Sequence, residues 1–195
     1  KKIRNNLDLL NKLNSLSKYK KKIKFIYQNS AKGLGDAVNT CKNFIKSSHF
    51  LLILPDDIIV NNNCSKELIN IHNKSKASIL AIKKVPKNIV NRYGVVGFNK
   101  KIKNIVNINK LVEKPNIKQS PSSFVIIGRY ILSKKIFKHL SKTKKGSLGE
   151  IQITDAMSKM LNAGQSFKGC IFKGSYLDCG TMDGYIKSFK FIGSR

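Results

Sequence analysis

Residues Phe50-Leu51-Leu52-Ile53-Leu54 form a continuous apolar run stopped by Pro55. A run of this kind, with no polar position to face water, predicts a central buried strand, and proline ends it because it lacks the N–H that a ladder needs. Strands of that type need helices above and below them, so the run points to an α/β layer architecture. The surrounding pattern agrees. Leu7, Leu9, Leu10, Leu13 and Leu16 recur at helical spacing over residues 6 to 19. Ile23 to Tyr27 reads as a short strand, and Gly33-Leu34-Gly35 opens a helix to about Ile45. A helix from Ser65 to Lys76 leads into a strand from Ala77 to Val85. Tyr93 to Phe98 and Ile102 to Ile108 read as a hairpin turning at Asn99-Lys100-Lys101. A strand over Ser123 to Leu132, helices near 133–141 and 149–162, late strands at Phe167 to Phe172 and Tyr176-Leu177, and a helix from Met182 to Phe191 complete the expectation.

Four short segments stand where these apolar runs give way to loops. They are Gln28-Asn29-Ser30-Ala31-Lys32-Gly33-Leu34-Gly35-Asp36, Leu54-Pro55-Asp56-Asp57, Val112-Glu113-Lys114-Pro115 and Leu177-Asp178-Cys179-Gly180. Loops at strand ends are where open α/β sheets bind ligands. Together the segments offer a Gly-rich turn, separated carboxylates and a lysine, the parts needed to hold a metal–nucleotide and a phosphorylated partner. Alone, each has a plainer reading: a turn aspartate after proline for Asp56, a surface pair for Glu113-Lys114, a glycine-rich helix start for Gly33 and a bulge glycine for Gly94. Asp57 is the weaker carboxylate, since alternation along an extended backbone turns it away from Asp56.

At 195 residues the chain fits one domain over 1–195. The net charge of +28 is the unusual quantity, and in isolation it suggests nucleic acid or an anionic surface. The lysines are scattered, however, and arginines are few, so a composition rich in Lys, Asn and Ile is the plainer account, with no nucleic-acid partner and no membrane expected. Cys41, Cys64, Cys170 and Cys179 lie far apart and imply neither a disulfide framework nor a zinc site. His49, His72 and His139 show no ligand spacing and read as surface residues. With no apolar run of spanning length and no leader profile, a cytoplasmic location is expected.

The ordered segments, with Tyr93-Gly94-Val95-Val96, Ile127-Gly128-Arg129-Tyr130 and Gly149-Glu150-Ile151-Gln152-Ile153-Thr154-Asp155-Ala156, resemble the bacterial UTP–glucose-1-phosphate uridylyltransferases, or UDP-glucose pyrophosphorylases. That resemblance implies a Rossmann-like mixed sheet flanked by helices, lacking its first strands, because the family's opening G-x-G-T-R and P-x-T-K signatures do not occur here. It implies Mg²⁺ held by Asp56 and Asp178, with Lys114 on a phosphate, Glu113 and Gly94 at the sugar, and Gln28 with Gly33 at the uracil edge. UTP, glucose 1-phosphate, UDP-glucose and pyrophosphate would be its small-molecule partners, and family relatives assemble as dimers or tetramers. Asp36 stands where relatives often carry His and is not counted as a contact. Glu150, expected to cap the helix beginning near Gly149, and Asp155 are given structural roles. Little or no turnover is expected of these residues alone, since the phosphate-cradling turn of the family is not among them. Two other readings stay open: a thymidylyl- or other sugar-nucleotide transferase, and a basic nucleic-acid-binding fragment without catalysis.

Overall fold

The computed structural model describes residues 7–146 and 149–195. Helix α1 (Leu7–Ser17) forms as its leucine spacing predicts, yet none of its residues is buried. The segment expected as a strand at Ile23 to Tyr27 pairs with no described strand, and Phe25 and Tyr27 remain 84% exposed. Without a ladder partner its alternating apolar residues have nothing to cover them. Helix α2 (Leu34–Thr40) is shorter than expected and gives way to turns before Ile45.

Six strands build the main sheet: β1 (His49–Ile53), β3 (Ser78–Lys84), β4 (Gly94–Ile102), β5 (Ile105–Glu113), β6 (Phe124–Ser133) and β7 (Phe167–Ile171), in the order β1-β6-β3-β7-β5-β4. The sheet is mixed. β3 and β7 are parallel, while β6 runs antiparallel to β1, β3 and β4. β1 is therefore an edge strand rather than the buried central strand its sequence predicts, and Leu51 and Ile53 are half-exposed. The central place belongs to β3, whose residues Ser78 to Ile82 are all buried. The β4–β5 hairpin also differs from expectation. Ile102 pairs with Ile105, so the turn is Lys103-Asn104, with Lys103 at φ 54°; Lys100 and Lys101, expected in the turn, pair with Asn107 and Val106, and a register shift skips Asn99.

A two-stranded antiparallel ribbon, β2 (Asp57–Val60) with β8 (Ser175–Asp178), stands apart from this sheet. Its first strand was not expected, although Ile58-Ile59-Val60 is β-branched throughout. Helix α3 (Cys64–Ser75) starts on the Asn63 side chain, which accepts the Lys66 N–H at 3.0 Å. It covers one face of the sheet, where Leu68, Ile79, Ala81, Val125 and Ile127 are buried. Cys64 and Cys170 pack there as small hydrophobes, and all four cysteines are free. The opposite face carries Leu80, Ile82, Val106 and Tyr130 against α4 (Ile136–Leu140) and α5 (Ile153–Asn162). Ile153, Ala156, Met157 and Met160 lie one helical turn apart and supply the buried stripe of α5. That helix begins at Ile153 after Gln152, so Glu150 lies outside it and does not cap it. Helix α6 (Met182–Gly193) closes the chain from a Thr181 cap. No described helix is long and apolar enough to cross a membrane. His49 and His72 are half-buried rather than surface residues, with ring centroids 4.4 Å apart.

Met157 is fully buried between helix and sheet, so Met157→Ala is expected to lower unfolding free energy by about 2–5 kcal/mol in urea titration. Leu13→Ala, on a helix with no buried residue, is expected to change it by less than about 0.5 kcal/mol.

Candidate active site

β1 runs into Leu54-Pro55-Asp56, and β8 ends at Asp178. In the β2–β8 ladder Asp57 stands opposite Asp178, which brings Asp56 next to it as well: the Cys179 N–H donates to the Asp56 carbonyl at 2.8 Å. A Cβ added at Gly180 would stand 2.9 Å from Asp56 Oδ2 and 3.3 Å from Asp178 Oδ1, so the two oxygens flank one point. The Gly180 N–H donates to Asp178 Oδ1 at 3.0 Å, and the Tyr93 hydroxyl donates to Oδ2 at 2.9 Å. Burial, then that hydrogen bond, pushes the Tyr93 hydroxyl up to about 12, so it remains a donor at neutral pH.

Asp57 shares the cavity with Asp56 and is half-buried, held by donors from the fold. Its Oδ2 accepts the Gly128 N–H at 2.6 Å and its Oδ1 accepts the Tyr176 hydroxyl at 2.5 Å. Burial raises its pKa, against the lowering effect of these two bonds. Gly128 is required for this approach, since a Cβ there would meet Asp57 Oδ2 and the Leu54 side chain.

These groups face a cavity of about 280 Å³ whose opposite wall holds Gly94, Glu113, Thr154 and Arg92. Gly94 pairs with Glu113 across the β4–β5 ladder. A Cβ on Gly94 would lie 2.8 Å from Thr154 Oγ1 and 3.1 Å from Glu113 Oε2, so the missing side chain keeps this part of the wall open. Thr154 donates to the Glu113 carboxylate. Burial raises the Glu113 pKa, the Thr154 bond and Lys114 oppose the rise, and Asp155 and Glu150 add to it. Of the ten acidic residues in the chain, Asp56, Asp57, Glu113 and Asp178 line this one cavity. In a chain of net charge +28 that makes it a local well for cations, with carboxylate oxygens and waters as the natural ligands of a hard ion.

The structure thus brings Asp56, Asp178, Gly94 and Glu113 together. Lys114, Gln28 and Gly33 are not on the cavity wall. Lys114 follows Glu113 in a left-handed conformation, φ 43°, its N–H donating to the Tyr93 carbonyl at 3.0 Å. Gln28 organises the loop, donating from Nε2 to the Gly33 carbonyl at 3.1 Å and to Asp36 Oδ2 at 2.8 Å. Gly33, at φ 95°, and Gly35 let that loop lie against Glu150 and Ile151: the Gly35 N–H donates to the Ile151 carbonyl at 2.8 Å, and Leu34 reaches the cavity. Sequence reasoning missed Tyr93, Tyr176, Thr154 and Arg92 as parts of the site. The signal available for Arg92 was its rarity, because a guanidinium in a chain whose cations are mostly lysine marks a place for planar, bidentate contacts.

The pattern that defines the nucleotidyl transferase family matches residues 4–195. The chain is 39% identical over 167 residues to a UTP–glucose-1-phosphate uridylyltransferase of Pseudomonas aeruginosa, covering 82% of this chain and 58% of that protein. It is 36% identical over 146 residues to one from Komagataeibacter xylinus, covering 74% of this chain and 51% of that one. The chain therefore spans little more than half the length of these curated relatives. Among solved structures, a UDP-glucose pyrophosphorylase complexed with UDP-glucose superposes with TM-score 0.84 at 35% identity, over 95% of this chain and 74% of that one. An apo UDP-glucose pyrophosphorylase gives 0.88 at 33%, over 99% and 72%.

Two consequences can be measured. Thr154→Val removes the donor that stabilises the ionised Glu113, so the Glu113 pKa, followed by carboxyl NMR shift, is expected to rise further. The raised value means that the contribution of Glu113 to stability is complete below its ordinary 4.5 and is lost as pH rises through its folded value, and the variant shifts that loss to higher pH. Gly128→Ala drives a methyl into Asp57 and should lower unfolding free energy by about 1–3 kcal/mol in denaturant titration, the cost of leaving a buried carboxylate short of a donor.

Proposed function

Because this chain belongs to the nucleotidyl transferase family, we propose that it forms the metal and sugar side of a uridylyltransferase site. There UTP and glucose 1-phosphate become UDP-glucose and pyrophosphate. A phosphate oxygen of the sugar phosphate attacks the α-phosphorus of UTP, and the bond to the bridging oxygen breaks as pyrophosphate leaves. The observation that carries the reading is the meeting of Asp56 Oδ2 and Asp178 Oδ1 over Gly180, across one cavity from Gly94 and Glu113.

The donor set suits Mg²⁺. Among the described residues no three metal-ligating side chains converge, and Mg²⁺ needs only one or two carboxylates because waters complete its shell. When bound by Asp56 and Asp178, it would neutralise charge on the phosphates. The chain's own residues do the rest. Tyr93 and the Gly180 N–H fix the Asp178 carboxylate, leaving Oδ1 facing Asp56. Glu113, oriented by Thr154, accepts hydrogen bonds from the hydroxyls of a hexose admitted by the bare backbone at Gly94. Arg92, on the wall, and Lys114, next in sequence to Glu113, offer a fork and a point charge to phosphate oxygens. Gln28 and Gly33 serve the uracil by shaping the loop that carries Leu34 to the cavity, with Gln28 Oε1 as its remaining acceptor. The Gly35 N–H is committed to Ile151, so this glycine-rich turn does not offer it to a triphosphate.

The test is UDP-glucose binding with Mg²⁺, read by calorimetry and thermal shift. Asp178→Asn is expected to weaken binding about tenfold or more, as loss of a charged ligand should. Gly180→Ala, whose methyl would push the two carboxylates apart, should weaken it with little change in melting temperature of the free protein. Unchanged affinity in both variants would overturn the reading.

A further inference from the structure

A second polar hollow, of about 310 Å³, lies at the other end of the main sheet from the paired aspartates. The strand directions settle which end this is. β1 and β3 both run antiparallel to β6, and β7 is parallel to β3, so all three start at the same end, with His49, Ser78 and Phe167. β6 finishes there at Ser133, opposite His49, whereas Asp56 lies beyond the far end of β1. The wall brings Lys76, Lys134 and Lys135 together with His49, Ser78 and Ser133, and it contains no carboxylate.

Three observations converge on what this hollow would take. Ser78 and Ser133 are buried, at 4% and 8% exposure, beside three ammonium groups. Ser78 Oγ accepts the Ser133 N–H at 3.3 Å, and Ser133 Oγ accepts the Lys135 N–H at 3.3 Å. Each hydroxyl therefore keeps its own proton to donate, and no acceptor for it occurs among the described residues. The backbone also directs Lys76 to this place: it stands at φ 57° after α3, with its N–H donating to the His72 carbonyl at 2.7 Å. Finally, the cations bear on one another. The basicity of His49 is depressed by burial first, then by His72, Lys135 and Lys76. A concave wall of donors and positive charge with no carboxylate is complementary to a multiply charged oxyanion.

We propose that this hollow is a binding site for a phosphate group, separate from the candidate active site, in which Lys76, Lys134 and Lys135 supply charge and the Ser78 and Ser133 hydroxyls donate. The group could be carried by free orthophosphate or pyrophosphate, or by a nucleotide, and the three are told apart by comparing affinities for orthophosphate, pyrophosphate and UDP-glucose without divalent metal.

The experiment is calorimetric titration of the whole chain with pyrophosphate, alongside Lys134→Gln/Lys135→Gln, Ser78→Ala, Asp178→Asn and a control pair, Lys100→Gln/Lys101→Gln, on the exposed β4–β5 hairpin. Both lysine pairs are exposed, so the variants keep the fold and lose equal charge. Saturable binding at one equivalent is expected. It should weaken roughly tenfold in the Lys134/Lys135 variant and measurably in Ser78→Ala, as loss of charge-assisted and hydroxyl donors predicts. Asp178→Asn and the control pair should leave it unchanged, and the His49 imidazole, followed by NMR, should titrate at higher pH with the anion bound. Equal weakening by the two lysine pairs would reduce the effect to chain-wide attraction. Loss in Asp178→Asn would move the binding to the other cavity, and absence of saturable binding would remove the site; each of the three overturns the proposal.

Discussion

The Asp57 carboxylate is the contact on which the rest of the candidate site depends. The β2–β8 ribbon is separate from the six-stranded sheet, and Asp57 joins the two by accepting one hydrogen bond from the β6 backbone N–H at Gly128 and one from the Tyr176 hydroxyl on β8. A buried carboxylate is costly unless donors satisfy both oxygens, so this arrangement favours one placement of the ribbon over its neighbours. Asp56 precedes that anchor by one residue and Asp178 pairs with it in the ladder. The positions of both exposed carboxylate edges follow from it.

Close approach is the second theme. Gly128, Gly94, Gly180 and the Gly33–Gly35 loop each stand where a side chain would strike a carboxylate, a hydroxyl or a backbone carbonyl. Bare backbone at these glycines opens a cavity otherwise walled by larger side chains such as Tyr93, Tyr130 and Tyr176, with Thr154 placed by the buried stripe of α5. Gly94, Glu113 and Thr154 are carried by elements packed into the main core, Asp57 and Asp178 by the half-buried ribbon, and none of these groups comes from the exposed α1.

Electrostatics divide the molecule. A chain of 38 basic and ten acidic residues gathers four carboxylates around one cavity at one end of the sheet, and at the other end lines a hollow with lysines and buried hydroxyls. Each cavity is charged opposite to the ligand its donors or acceptors suit, so the two would attract different species.

The sequence by itself determined the α/β class, most helices, the buried strands β3 and β6, and the placing of Asp56 and Asp178 at strand ends. Those follow from local rules: apolar period, proline and glycine stops, and carboxylates at strand ends. It did not determine that the apolar run at 50–54 lies on an edge, since the same residues suit a central or an edge strand and only pairing distinguishes them. It could not show the β2–β8 ribbon, whose partners are more than a hundred residues apart. Nor could it show that Tyr93 serves Asp178, that Tyr176 serves Asp57, or that Lys76 and Lys134 share a wall. Such contacts depend on register and strand order, which arise from packing the whole chain rather than from any segment of it.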